Sequence, residues 1–126
     1  MNTPKLGEFC WNELATSDVH AAKEFYGALL GWKFTDHDMG TMTYTMVQVG
    51  DDAFGGIWAI PKDKSEEIPP HWMGYILVEH LDTTVESAKK LGALIVMPVT
   101  PVSDFGIFAI IQDPTGAHIA FWQALK

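Results

Sequence analysis

The sequence predicts an α+β fold built from two βαβββ repeats in tandem. Three observations carry that expectation. Two amphipathic helices each end on a glycine, the same order of strand-like segments surrounds each helix, and residues of the two halves match at a nearly constant offset.

The first segment, Glu8 to Ala15, reads as a strand. A helix follows. Ser17-Asp18 supplies its N-cap, and Val19, Ala22, Phe25, Tyr26, Leu29 and Leu30 recur at helical spacing. Gly31 stands where a left-handed C-cap glycine belongs. Strand-like segments then run from Trp32 to Thr35, Thr43 to Val49 and Phe54 to Ile60, with a turn at Gly50-Asp51-Asp52. Pro61 to Pro70 is polar, charged and bounded by prolines, as a linker is.

The order repeats from Trp72. A strand is expected to Glu79, then a helix from Asp82-Thr83, with Thr83 and Glu86 at capping-box spacing. Val85, Ala88 and Leu91 form its apolar stripe and Gly92 ends it. Strands follow at Leu94 to Met97, Ile107 to Gln112 and Ala117 to Gln123. The last two flank Asp113-Pro114-Thr115-Gly116, a turn because Pro presets φ and Gly accepts positive φ. At an offset of 62, Glu24 falls on Glu86; at 64, Gln48 falls on Gln112 and Trp58 on Trp122. A ferredoxin-like α+β domain that repeats by chance is the alternative topology. The expected organisation is a single domain over residues 1–126: repeat one at about 8–60, linker at about 61–71, repeat two at about 72–124.

Composition narrows the function. Five Trp and seven Phe in a chain that is 48% hydrophobic can form a real core at 126 residues. The net charge is −8, from 16 acidic and 8 basic residues with no Lys/Arg cluster. Nucleic acid and anionic membranes are therefore poor partners. The lone cysteine, Cys10, rules out an internal disulfide and suits a reducing compartment. There is no basic region followed by an apolar stretch at the N-terminus, and no apolar run long enough for a membrane span. A cytoplasmic protein is expected.

Several segments resemble a known superfamily. Phe9-Cys10-Trp11-Asn12-Glu13-Leu14, Asp18, Ala22-Lys23-Glu24-Phe25-Tyr26 and Leu30-Gly31-Trp32 are similar to the opening of glyoxalase, bleomycin-resistance and extradiol-dioxygenase proteins, the vicinal oxygen chelate group. Asp113-Pro114-Thr115-Gly116-Ala117-His118-Ile119-Ala120 resembles that group's final hairpin. The Trp-x-x-Leu opening and Asp-Pro-x-Gly-Ala closing are nearest to the subgroup of predicted enzymes related to lactoylglutathione lyase. The resemblance implies a cupped, barrel-like mixed sheet with helices on the outside. It leaves function open, since the superfamily holds isomerases, dioxygenases, epimerases, thiol transferases and non-catalytic drug binders.

Metal-dependent members take His, Glu or Gln ligands from the first and last strand of each repeat. Carried onto this sequence, those positions fall on Trp11, Met73 and Ala120, and at or near Gly56. None is a ligand for Zn, Ni or Fe(II), which take N and O donors in such open sites. No metal and no cofactor are therefore expected. The same positions mark, by alternation, a cavity face of Phe9, Trp11, Glu13 and Ala15; Phe54, Gly56, Trp58 and Ile60; Met73, Tyr75 and Leu77; His118, Ala120 and Trp122. The opposite parity collects Cys10, Leu14, Ile57, Ile76, Val78, Ile119 and Phe121 for the helix side.

From that face the candidate ligand-binding residues are Trp11, Glu13, Trp58, Met73, Tyr75, His118 and Trp122, apolar walls with sparse polar groups. The aromatic residues could equally fill a core. Glu13 is the candidate catalytic residue, a general base beside a carbonyl compound, unless it is a buried acid satisfied by Trp N–H or Tyr75 hydroxyl groups. Gly55-Gly56 suggests a bulge or a close backbone approach. Three readings follow: a metal-independent binder of a small apolar or aromatic molecule, an acid–base isomerase or lyase using Glu13, or an interaction module without a ligand. A homodimer is expected, because βαβββ modules pair edge to edge in the resembled fold.

Overall fold

The computed structural model describes residues 3–40 and 42–125. It contains eight strands and two α-helices in the predicted order: β1 (Phe9–Thr16), α1 (Val19–Leu30), β2 (Lys33–Asp38), β3 (Thr43–Val49), β4 (Asp52–Ala59), β5 (His71–Leu77), α2 (Leu81–Lys90), β6 (Leu94–Val102), β7 (Gly106–Gln112) and β8 (His118–Ala124). A short 3₁₀ turn, Lys62–Lys64, interrupts the proline-bounded linker. The chain divides into two compact units, Trp11–Met73 and Met1–Cys10 with Gly74–Lys126.

In the first unit the strand order is β2-β3-β4-β1. β2, β3 and β4 are antiparallel neighbours, and β1 runs parallel to β4, with Glu13 opposite Gly56 and Leu14 opposite Ile57. The helix α1 is positioned by its caps. Asp18 Oδ1 accepts from the Ala21 N–H at 3.0 Å, and Gly31 adopts φ 74°. Val19, Ala22 and Tyr26 then pack on a core of Leu14, Val47 and Ile57, joined by Trp32, Phe34 and Phe54.

The second unit repeats the plan as β5-β8-β7-β6, with β5 parallel to β8. Leu81, Val85 and Ala109 form its core, with Val78, Ile95, Ile107 and Phe121 against them. Asp113 organises the closing hairpin. One carboxylate oxygen accepts from the Thr115 N–H, the Thr115 hydroxyl and the Ala117 N–H, and these bonds hold its pKa below the usual carboxylate range.

Two local expectations fail for identifiable reasons. The capping box at Thr83 and Glu86 does not form; α2 starts earlier, at Leu81, and no side chain of its N-cap residue His80 caps it. Leu81 is fully buried, and the Gln123 side-chain oxygen on β8 accepts its N–H at 2.7 Å. Tertiary burial and a remote acceptor thus override the local signal. The second difference is Phe54, expected on the cavity face. Val47 pairs with Gly55 and Gln48 with Ala53, leaving Phe54 as the extra residue of a bulge. The bulge turns the Phe54 ring to the helix side, 4.9 Å from the Trp32 ring.

Candidate functional site

In the first unit, register and alternation give the sheet face away from α1. Ala15 and Trp58 pair in one row and Glu13, Gly56 and Met46 in the next, and Tyr44, two residues before Met46, lies on the same face. Trp11 lies two residues before Glu13 on the same face. The parity expected for Trp11, Glu13 and Trp58 therefore holds, and the opposite parity carries Leu14 and Ile57 into the helix core.

Trp11 and Glu13 are brought together through a residue that the sequence reading did not select. The Trp11 Nε1–H donates to the Tyr44 hydroxyl at 2.9 Å, and that hydroxyl donates to Glu13 Oε2 at 2.8 Å. Glu13 thus accepts from a tyrosine hydroxyl, that of Tyr44. Burial, then the adjacent Glu13 charge, push the Tyr44 phenol far above its ordinary range; the bond from Trp11 opposes them without prevailing. The hydroxyl stays a donor.

Gly56 makes this arrangement possible. A Cβ built there would overlap the Tyr44 hydroxyl and the adjoining ring carbon. At Gly55 a Cβ would overlap the Asn12 carbonyl oxygen of the neighbouring strand. The glycine pair therefore serves two close approaches, next to the bulge at Phe54. Alternation along β3 was the available signal for Tyr44: Thr45 and Val47 are buried toward the helix, so Tyr44, Met46 and Gln48 face the other way.

The remaining candidates sit as follows. Met73 is buried in the first unit. In the second unit, Tyr75 is buried in the row of Ala120 and Ile110, and its ring centroid lies 6.2 Å from that of Phe108. Trp122 pairs in register with Leu77 and Phe108, and its ring lies against Gly106, where a Cβ would come within 2.6 Å of it. His118 is exposed at the start of β8, opposite Gln112.

A separate open depression of ≈ 660 Å³ lies on the helix side of the first unit, lined by Ser17, Val19, Lys23, Asp36, Thr45 and Ile60 among others. Ile60, expected on the cavity face, lines this depression just past the end of β4. Asp36 is tied there to Thr45 and Lys23, which lower its pKa. None of the proposed site residues borders it.

The metal positions implied by the resemblance fall on Trp11, Met73 and Ala120 and at or near Gly56, which offer an indole, a thioether, a methyl and a side chain of hydrogen alone. This donor set does not fit a divalent metal of the kind bound by N and O ligands. Among the described residues no group of three His, Cys, Asp or Glu is placed to hold a metal ion. Among them, too, no helix is long and apolar enough to cross a membrane.

Comparison with known proteins adds the relationships. Residues 7–121 match the sequence profile of the Glyoxalase/Bleomycin resistance protein/Dioxygenase superfamily. CFP32 of Mycobacterium tuberculosis (strain CDC 1551 / Oshkosh), provisionally named a glyoxylase, is 36% identical over 116 residues, covering 90% of this chain and 44% of that protein. The anthracycline biosynthesis protein DnrV of Streptomyces peucetius is 25% identical over 129 residues, covering 93% and 47%. The chain spans about half the length of these curated relatives. Among solved structures, methylmalonyl-CoA epimerase from Mycobacterium tuberculosis has a TM-score of 0.68 at 18% identity, over 98% of this chain and 92% of that one. Homoprotocatechuate 2,3-dioxygenase from B. fuscum has a TM-score of 0.66 at 15% identity, over 98% and 34%. These two likenesses concern the fold.

Proposed function

The chain belongs to the Glyoxalase/Bleomycin resistance protein/Dioxygenase superfamily, and from that premise we propose that it is a metal-independent binder of a small apolar or aromatic molecule. What carries this reading is that the metal positions implied by the resemblance fall on Trp11, Met73 and Ala120 and at or near Gly56. The face on which Trp11 and Gly56 lie supports it. Trp11, Tyr44, Met46 and Trp58 supply apolar wall, and Glu13 supplies an oriented polar group. The second unit presents a comparable face of Tyr75, Phe108 and Trp122.

Two measurements test the proposal. Elemental analysis of purified protein is expected to find no stoichiometric Zn, Ni, Fe or Mn; a tightly held equivalent would overturn the metal-free reading. Titration with a library of aromatic compounds is expected to quench tryptophan emission, and the quenching should vanish in Trp11→Ala. A broad library without any quenching would sink the binding reading.

A second reading is favoured by the Tyr44–Glu13 hydrogen bond. A carboxylate on an apolar face, oriented by a phenol, has the equipment of a general base acting next to a carbonyl. The provisional glyoxylase name of CFP32 agrees with such isomerase or lyase chemistry. Under this reading Glu13→Gln abolishes turnover by on the order of 10²–10⁴-fold while ligand binding survives.

A further inference from the structure

We propose that Tyr44 is a positioning residue that holds Glu13 as a hydrogen-bond-accepting carboxylate, and that Trp11 fixes the direction of that hold. The inference deepens the reading of Glu13 as the functional acid of this face, and rests on it only for its consequence.

The argument is one of donor and acceptor inventory. An indole N–H can only donate, so the 2.9 Å bond from Trp11 commits a lone pair of the Tyr44 oxygen. A phenol has one proton. With Trp11 donating to the oxygen, that proton is directed along the 2.8 Å contact to Glu13 Oε2. Oε2 must then accept. A proton placed on Oε2 would face the Tyr44 proton, so protonating this oxygen requires the hydroxyl to turn and give up its bond. The relay favours the ionised acid over the neutral one.

Three further features keep the relay in one state. Burial and the Glu13 charge suppress ionisation of Tyr44, so it does not become an acceptor toward Glu13. Tyr44 pairs with His37 of β2, and the next residue, Thr45, pairs with Ile57 of β4. Gly56 leaves the space that its hydroxyl occupies.

The ionisable groups that the described strands of the first unit turn to this face are these. By alternation, β2 presents Lys33 and His37 to this face, β3 presents Tyr44, β4 presents none from Gly56 to Trp58, and β1 adds none besides Glu13. His71, at the head of β5 in the same unit, has its Nδ1 2.8 Å from the Pro69 carbonyl.

The experiment needs no ligand. Protein labelled with ¹⁵N in the Trp indoles and ¹³C in the Glu carboxyls is titrated by NMR. The Trp11 signal is assigned by its loss in Trp11→Phe, and the Glu13 signal by its loss in Glu13→Gln. In the wild type the Trp11 indole resonance is expected to move with pH at the midpoint of the Glu13 carboxyl carbon. In Tyr44→Phe, which keeps the ring, the Glu13 midpoint is expected to rise by about one pH unit, a tenfold gain in proton affinity. The Trp11 resonance should then no longer follow it.

A wild-type Trp11 resonance that ignores the Glu13 step overturns the proposal, and this arm survives even if Tyr44→Phe fails to fold. An unchanged Glu13 midpoint in folded Tyr44→Phe overturns it too, since a merely space-filling tyrosine would change stability and leave the carboxyl untouched. Ligand quenching is measured separately, so failure of the relay and failure of the binding reading are told apart.

Discussion

Replacing Gly56 with alanine adds one methyl group and tests how the first unit's face is assembled. Gly56 is not among the positive-φ glycines, so alanine fits its backbone and any cost comes from the side chain. The new Cβ would overlap the Tyr44 hydroxyl and ring, which must be expelled from their place. Expulsion breaks the neutral bond from Trp11, about 1 kcal/mol, and the charge-assisted bond to Glu13, about 1.5–3 kcal/mol. Strain in the surrounding sheet adds about 1–3 kcal/mol. The lower chain entropy of alanine in the unfolded state returns about 0.4–1 kcal/mol. A net loss of about 2.5–6.5 kcal/mol is expected, a large share of an ordinary domain's stability of about 5–15 kcal/mol. Urea unfolding followed by far-UV circular dichroism measures it. In a Tyr44→Ala background the methyl has room, and the same substitution should cost less than about 1 kcal/mol, which gives a large coupling term. A cost under about 1 kcal/mol in the wild-type background, or an equal cost in both, would refute the steric reasoning.

Other perturbations follow from the same contacts. Glu13→Gln keeps an acceptor for Tyr44 and removes a charge from an apolar face, so the melting temperature should hold or rise; a fall of several degrees in a thermal scan would count against that. Gln123→Ala removes the acceptor of the Leu81 N–H and should cost about 1 kcal/mol, read by urea unfolding, with faster amide exchange in the first turn of α2. The Tyr44 phenol titrates higher in the folded chain than in the unfolded one, so its stabilising contribution is complete below the ordinary phenol value of about 10 and is lost as pH rises above it. Wild-type stability should therefore fall more steeply than that of Tyr44→Phe in unfolding curves above that pH. A homodimer is proposed from the edge-to-edge pairing of βαβββ modules that the resemblance implies; sedimentation showing only monomer at micromolar concentration would contradict it.

The fold was legible wherever a local signal and the tertiary structure agreed. Asp18 and Gly31 mark the ends of α1 because capping is satisfied within a few residues. The start of α2 was misread because its cap comes from Gln123, far along the chain, and its anchor is the burial of Leu81. The same division explains the site. Parity along β1 placed Trp11 and Glu13 on one face, since alternation is a local rule. Phe54 escaped it, because a bulge is a defect of pairing and shows only when the partner strand is in view. Tyr44 was passed over because the family's metal positions direct attention to the first and last strands of each repeat. Its role arises from the space at Gly56, two residues along the register of the adjacent strand.

The parallel strand pairs also bear on the order in which the chain folds. The turn between β3 and β4 brings Val49 and Asp52 together within a few residues, and that between β7 and β8 brings Gln112 to His118. Such hairpins close in about 1–10 μs. By contrast, Asn12 finds Gly55 across 43 positions of sequence, and Tyr75 finds Ala120 across 45. Each parallel pair must overcome the entropy of closing a long loop before its hydrogen bonds repay it. The Trp11–Tyr44–Glu13 contacts depend on β1 docking beside β4, so they are expected to form late in folding. Removing the Tyr44 hydroxyl should accordingly speed unfolding while leaving the refolding rate nearly unchanged.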